Sequence, residues 1–312
     1  MSTQIQRRAF LTAAAGVIAE LCLPTGLVGQ TSKSRLIMLG VAGGPRPKKE
    51  NSGPAQVIIA NGVPYVVDCG DGVARQLVIA GVQLARLRHV FITHHHSDHN
   101  ADYGNLLLLA WASGLKTRVD TWGPPPLARM TRLFFEMNAY DIETRIADES
   151  RIPLVPLIRT NEITKAGVVM QDENVKVTAT LANHPPVSPA FAYRFDMSDR
   201  SIVISGDTTR SDAVTKLAEG ADVLVHEALY VPAVDRIVAG IANQQTLKQH
   251  IIGSHTPVED CGRIAQAAGV KTLVLSHLVP ADDPAVTEKT WMDAARVHFR
   301  GTIIVAKDLQ EI

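Results

Sequence analysis

The sequence predicts an α+β fold in which two β-sheets pack face to face with helices on their outer sides. Two observations carry this reading. Short runs rich in β-branched residues and leucine come in groups followed by helix-like segments, twice over along the 312 residues. In the first group, residues 56–60 and 65–68 flank Asn61-Gly62, the strongest short hairpin signal a sequence can carry.

In chain order, an apolar strand from Arg35 runs into a glycine-rich turn at Gly43-Gly44. A phosphate-cradling loop would need a helix next. Pro45, Pro47, Lys48 and Lys49 follow instead, so the glycines are read as letting the loop pass close to an active site. Asp68-Cys-Gly-Asp-Gly closes the hairpin and leads into a helix over residues 73–80. Residues 88–93 form a buried strand, 103–113 an apolar helix ended by Gly114, and 117–122 another strand. The helix expected over 127–138 carries Phe134, Phe135 and Met137, with Tyr140 just beyond, and serves either as a core face or as a wall of the substrate pocket. Residues 141–174 are mixed and polar, and read as a loop-rich excursion with weak strands. Strands follow at 175–181, 190–195 and 201–205, a helix at 211–218 and a strand at 223–225. Glycine and polar residues dominate 240–254, which reads as a mobile loop. Helices at 257–268 and 283–299 and strands at 272–275 and 302–306 complete the chain.

The chemistry is concentrated in residues 93–100, THHHSDHN, directly after the strand at 88–93. His94, His96, Asp98 and His99 follow the spacing His-x-His-x-Asp-His. Imidazoles and carboxylates are ligands for zinc and similar metals, and four of them within six residues are too close to serve unrelated sites. His94 and His96, two apart on extended backbone, point the same way, while Asp98 and His99 can turn to a second ion. A solvated histidine tract that binds nothing would be compositional, not anchored to a strand.

This motif resembles that of the metallo-β-lactamase superfamily of metallohydrolases, and the resemblance covers nearly everything from about Arg35 onward. It implies a four-layer αββα sandwich as one domain over residues 31–312, and three further ligands: a His, an Asp and a His. His184 in LANHPPV, Asp207 in ISGDTT and His277 in LVLSHLVP each follow a strand-like run. The resemblance then implies that His94, His96 and His184 hold one divalent ion and Asp98, His99 and His277 the other, with Asp207 bridging; zinc is the expected metal. A hydroxide between the ions would be the nucleophile, without any serine or cysteine. Asp68 is expected to steady the histidine loop, and His95 to point away into a structural hydrogen bond.

Glu227 and His255 resemble the paired Glu and His of the branch containing tRNase Z and a zinc-type arylsulfatase. There the His lies beside the leaving oxygen and the Glu sets its charge; otherwise His255 is only a helix N-terminal neighbour of Thr256. Asp98, His255 and Glu227 are the expected catalytic residues. For His226 and His250 surface or core roles are expected.

Composition is that of an ordinary globular enzyme, 46% hydrophobic and 20% charged with zero formal net charge. Arg7-Arg8 followed by the short apolar stretch at residues 9–19 resembles a twin-arginine export signal over residues 1–30, the alternative being a short amphipathic helix. The stretch is too short for a stable membrane anchor, and Cys22 lacks the small preceding residue of a lipoprotein site. The expected location is periplasmic or secreted, reached through the twin-arginine export machinery. Removing that segment leaves 29 basic and 30 acidic residues, too few cations in excess to favour a polyanion. Relatives that process transfer RNA insert a long arm between the positions of His184 and Asp207, and 22 intervening residues leave no room for it. No nucleic-acid partner is therefore expected. The expected substrate is a small ester, arylsulfatase-like or phosphodiesterase-like, with a lactone as an alternative and a non-catalytic metal-binding module as another. Cys69 and Cys261 are read as buried free thiols, and self-association as a homodimer is compatible with the sequence.

Mature protein should lack the segment through about residue 30. Replacing Arg7 and Arg8 together by lysine should strand the protein in the cytoplasm, which fractionation followed by immunoblotting reads; unchanged export would point to a different pathway.

Overall fold

The computed structural model describes residues 33–312; the leader expected at 1–30 lies outside the described residues. Alternation along β1 (Arg35–Gly40) sends Leu36 and Met38 to one face and Ile37 and Leu39 to the other, and all four are buried. A strand with both faces apolar must be covered on both, which fixes a layered architecture.

β2 (Ala55–Ala60) and β3 (Val63–Val67) form the hairpin that Asn61-Gly62 announces, both turn residues having positive φ. Then come α1 (Val73–Ile79), β4 (His89–Phe91), α2 (Ser97–Asn100), α3 (Tyr103–Ala112), β5 (Val119–Gly123), α4 (Leu127–Met137), α5 (Ala139–Glu149) and β6 (Ile158–Glu162). The second half runs β7 (Gly167–Gln171), β8 (Val175–His184), β9 (Val187–Met197), β10 (Ser201–Ile204), α6 (Asp212–Leu217), β11 (Val223–Leu229), α7 (Val234–Val238) and α8 (Gln244–Ser254). It ends with α9 (Val258–Ala268), β12 (Thr272–Val279), α10 (Glu288–Arg296), β13 (Thr302–Val305) and β14 (Gln310–Glu311). One sheet has the order β14-β1-β2-β3-β4-β5-β6, the other β13-β12-β11-β10-β9-β8-β7. The C-terminal β14 crosses back to pair with β1.

Between the sheets lie Leu36, Met38, Tyr65, Phe91, Phe191, Tyr193 and Phe195, among others. Outside the first sheet Val90, Ile92, Leu106 and Trp111 pack under helices; outside the second Leu224, Leu273, Ile264 and Trp291 do so. This is the expected αββα sandwich. Phe91 sits at its centre, with ring centroids 5.5 Å from Tyr193 and 5.3 Å from Phe195 in edge-on geometry. The strand that delivers the histidine loop is thus anchored by an aromatic cluster.

Three expectations are corrected and, for α4, one of two alternatives is selected. The excursion at 141–174 begins with helix α5, which buries only Ile142 and is held partly by Arg145 pairing with Asp141 and Glu149 one turn away on either side. The loop expected at 240–254 contains α8, whose buried residues are only Ile251 and Ser254. α8, with so little apolar face, carries almost no periodic signal, whereas α5 does set Ile142 and Ile146 one turn apart against the core. The aromatic helix α4 is not a pocket wall at the metal site: Phe135 is buried in the core, while Met137 and Tyr140 are exposed. Finally, α10 starts later than expected, because Thr287 caps it by accepting from the Thr290 backbone N–H.

Phe91→Ala should cost about 3–5 kcal/mol in urea unfolding, whereas Tyr140→Ala at an exposed position should stay within about 0.5 kcal/mol. Equal midpoints for the two variants would remove Phe91 from its anchoring role.

Candidate metal centre

The centre is assembled at one end of the sandwich by loops that follow strand ends. After β4 the chain turns at Thr93 into the His94–His96 segment and α2. His184 closes β8, Asp207 follows β10, and His277 lies within β12 at a positive φ of 43°. The seven residues expected as ligands come together in adjoining groups: His94, His96, His184 and Asp207 in one, Asp98, His99 and His277 in the next.

Their spacing is that of donors around an ion. His96 Nδ1 lies 3.1 Å from His94 Nε2 and 3.0 Å from His184 Nε2. Two imidazole nitrogens on one tetrahedral zinc would be about 3.3 Å apart, given metal–nitrogen bonds of about 2.0–2.1 Å. The tautomers exclude a purely hydrogen-bonded explanation. Thr93 Oγ1 gives its proton to Asp68 at 2.9 Å, so His94 Nδ1 must donate to Thr93, leaving a lone pair on Nε2. His184 Nδ1 donates to Ser254 O at 2.8 Å, and its Nε2 is likewise a bare acceptor. In the adjoining group, His99 Nδ1 donates to Asp68 at 2.8 Å, and the buried His99 Nε2 and Asp207 Oδ1 have no hydrogen-bond partner although 3.2 Å apart. Buried, unpartnered donor atoms aimed at common points fit two metal ions. Asp207 lies between the groups, its Oδ2 3.2 Å from His277 Nε2 and 3.8 Å from His94 Nε2.

Electrostatics agree for the first group, while in the second the carboxylates dominate. Burial, reinforced by neighbouring histidines, pushes His94 well below its ordinary pKa and His96 down to about 4, so both present lone pairs at neutral pH. Burial opposes charge at Asp207 too, yet His277, His99 and His94 hold its carboxyl well below the usual range. His99 is held high against its burial by Asp207, Asp68 and Asp98.

Neighbours fix the donors. Asp68, itself at a positive φ of 58°, accepts from Thr93 N, Thr93 Oγ1 and His99 Nδ1. The Gly43-Gly44 turn passes against the centre as expected: Gly44 N donates to Asp98 Oδ2 at 2.9 Å, and a Cβ on Gly43 would lie 2.7 Å from the His277 ring. His95 turns away and bonds Pro124 O and Asn100. Beside the centre, His255 Nδ1 lies 3.4 Å from Glu227 Oε1 and 3.9 Å from Asp207 Oδ2. Burial would lower this imidazole, but Glu227 foremost and then the two aspartates push it up to about 9. The Thr208 and Thr256 backbone N–H groups both donate to Glu227 Oε1, which pins the carboxylate.

The family profile for the Beta-lactamase superfamily domain matches residues 65–278. The chain belongs to the metallo-β-lactamase superfamily. It is a metal-dependent hydrolase of that superfamily. Ribonuclease Z of Mycobacterium bovis (strain BCG / Pasteur 1173P2) is 33% identical over 280 residues, which are 89% of this chain and 97% of that one. Among solved structures, the metallo-beta-lactamase fold protein YhfI from Bacillus subtilis superposes with a TM-score of 0.66 at 20% identity, over 89% of this chain and 98% of the other. The short form of human tRNase Z superposes with a TM-score of 0.63 at 20% identity, over the same shares.

These relatives correct the expectation that nucleic acid is not a partner, since the mycobacterial protein is by name a ribonuclease. The physical reasons are two. Net charge averages over the whole surface, whereas an enzyme meets its substrate at a local cleft, here one whose lining includes Arg46 and Lys48 beside Arg236, which is paired with Asp283. The missing arm also decides nothing, because the match already spans 97% of that ribonuclease and leaves few residues for a segment that this chain lacks.

The superfamily centre opens into a cleft of about 910 Å³, covered on one side by Ile237, Ile241, Leu247 and Ile251 from the α7–α8 region. His226 is in the core, as expected. His250 lines the cleft, contrary to the surface or core role expected for it; its signal was missed because α8 itself was.

Purified protein should hold close to two divalent ions per chain by emission spectrometry, and Asp207→Ala should lose one or both, because its carboxylate lies against both groups. A full complement in that variant would remove Asp207 from the centre.

Proposed function

We propose that this hydrolase cleaves phosphodiester bonds and that RNA is among its substrates. The observation that carries the reading is the buried Glu227–His255 pair set against Asp207 and His277. A proton donor beside a two-metal centre is what departure of a basic alkoxide requires, and a nucleotide's ribose is such a leaving group. The similarity to ribonuclease Z over nearly its whole length supports the same bond class.

In this reading His94, His96 and His184 would hold one ion and Asp98, His99 and His277 the other, with the Asp207 carboxylate available to both groups. The mixed imidazole and carboxylate set favours zinc. When bound, the two ions supply an ionised water at neutral pH and neutralise phosphoryl charge. Asp98, steadied by Gly44 N–H, keeps its carboxylate aimed at the second position. Glu227 favours the protonated His255, so that the imidazolium can give its proton to the departing oxygen, and burial of the pair keeps bulk water from competing. The aliphatic wall of the cleft supports a second reading, a small aryl ester of phosphate or sulfate. We also propose export through the Arg7-Arg8 leader, to the periplasm or beyond.

His255→Ala should keep its metals and lose roughly 10²- to 10⁴-fold in rate on phosphodiesters with basic leaving groups, with a smaller deficit for nitrophenolate. Glu227→Gln should show a weaker form of the same trend, since it acts through the imidazole. Equal loss for every leaving group would make His255 structural. No turnover of RNA or of bis(4-nitrophenyl) phosphate by metal-replete enzyme would end the phosphodiester reading, and turnover of 4-nitrophenyl sulfate alone would favour the second.

A further inference from the structure

Beyond the ligand set and the Glu227–His255 pair, one more imidazole stands in the cleft. The ring of His250, on α8, lies 6.1 Å from that of His96 and 6.4 Å from those of His184 and His255, and it belongs to none of the metal-compatible groups. Its tautomer follows from Ser254. That hydroxyl gives its single proton to Pro185 O at 2.5 Å, so in the 3.3 Å contact with His250 the oxygen accepts and His250 Nδ1 donates. Nε2 keeps its lone pair, and no hydrogen bond from the described residues reaches it. Ser254 O meanwhile accepts from His184 Nδ1, so one residue sets both rings. Arg46 and Lys48, which also line the cleft, can only donate.

We infer that His250 Nε2 accepts a hydrogen bond from a hydroxyl carried by the substrate next to the scissile ester, as the 2′-hydroxyl is in RNA. The inference rests on the phosphodiester reading above. It makes His250 a specificity-determining contact, separating hydroxylated from deoxy substrates without taking part in proton transfer or metal binding.

The test compares kcat/KM of the metal-loaded wild type, His250→Leu and His250→Gln on the dinucleotide UpU and its 2′-deoxy counterpart dUpU. Wild type should favour UpU. His250→Leu should lose roughly three- to tenfold more on UpU than on dUpU, the scale of one hydrogen bond, and His250→Gln, whose amide oxygen can accept, should recover part of the difference. In parallel, inhibition constants of uridine 3′-phosphate and 2′-deoxyuridine 3′-phosphate are measured against bis(4-nitrophenyl) phosphate or, if that is not turned over, 4-nitrophenyl sulfate. The wild-type preference for the hydroxylated nucleotide should collapse in His250→Leu. Equal losses on both dinucleotides, or equal inhibition constants in wild type, would overturn the assignment. If neither dinucleotide nor bis(4-nitrophenyl) phosphate is cleaved while the inhibition preference, read with 4-nitrophenyl sulfate, still depends on His250, the phosphodiester reading fails and the hydroxyl contact stands.

Discussion

Two imidazole nitrogens, His94 Nε2 and His184 Nε2, lie 3.1 and 3.0 Å from His96 Nδ1, and because the outer nitrogens of both rings already donate elsewhere, the single N–H that His96 Nδ1 can carry satisfies at most one of them. Much of the surrounding structure serves to hold that arrangement. A buried acceptor without a donor costs on the order of 1–3 kcal/mol, so a cluster of them persists only where the fold over-determines each ring and a cation can complete it. Asp68 carries much of this burden. Its carboxylate ties the β4 strand end to α2 through Thr93 and His99, and its backbone N–H bonds Phe91 O, so the aromatic cluster and the metal loop are joined through a single residue.

The second sheet contributes a different kind of support. Ser254, at the end of α8, accepts a hydrogen bond from His184 Nδ1 on its carbonyl and bonds Pro185 O and His250 Nδ1 with its hydroxyl, while the next residue is His255. One helix end therefore sets the orientation of a candidate ligand and places two cleft imidazoles. The Gly43-Gly44 turn does the equivalent from the first sheet, pairing with β12 through Gly43 N to Leu278 O and steadying Asp98. The centre is held from both sheets at once, which is why its donors, drawn from positions 94 to 277, gather in groups whose ligand atoms lie within 4.8 Å of one another.

Helices with thin apolar faces mark where sequence reading stopped. In α8, Ile251 and Ser254 alone are buried, so it leaves almost no 3.6-residue stripe, and in α5 the stripe is short, Ile142 and Ile146 one turn apart amid charged residues. Placing His250 depended on α8, so its place in the cleft was invisible too. Whole-chain charge likewise could not reveal that Arg46 and Lys48 share one cleft with the paired Arg236 and Asp283.

By itself the sequence determined the layered α+β fold, through strand-like runs grouped ahead of helical segments, the Asn61-Gly62 turn and the strand-ending histidine motif, and through its family resemblance it named the donor residues that could build a two-metal centre. These are local signals: each depends on residues within a turn or a strand of one another. Tertiary structure alone decided the tautomers of His94 and His184, the approach of Gly43 to His277, the burial of Glu227 against His255, and the arrival of His250 at the cleft. Those depend on which hydrogen-bond partner stands across a gap from residues up to 234 positions away, as between Gly43 and His277, and no local pattern encodes that.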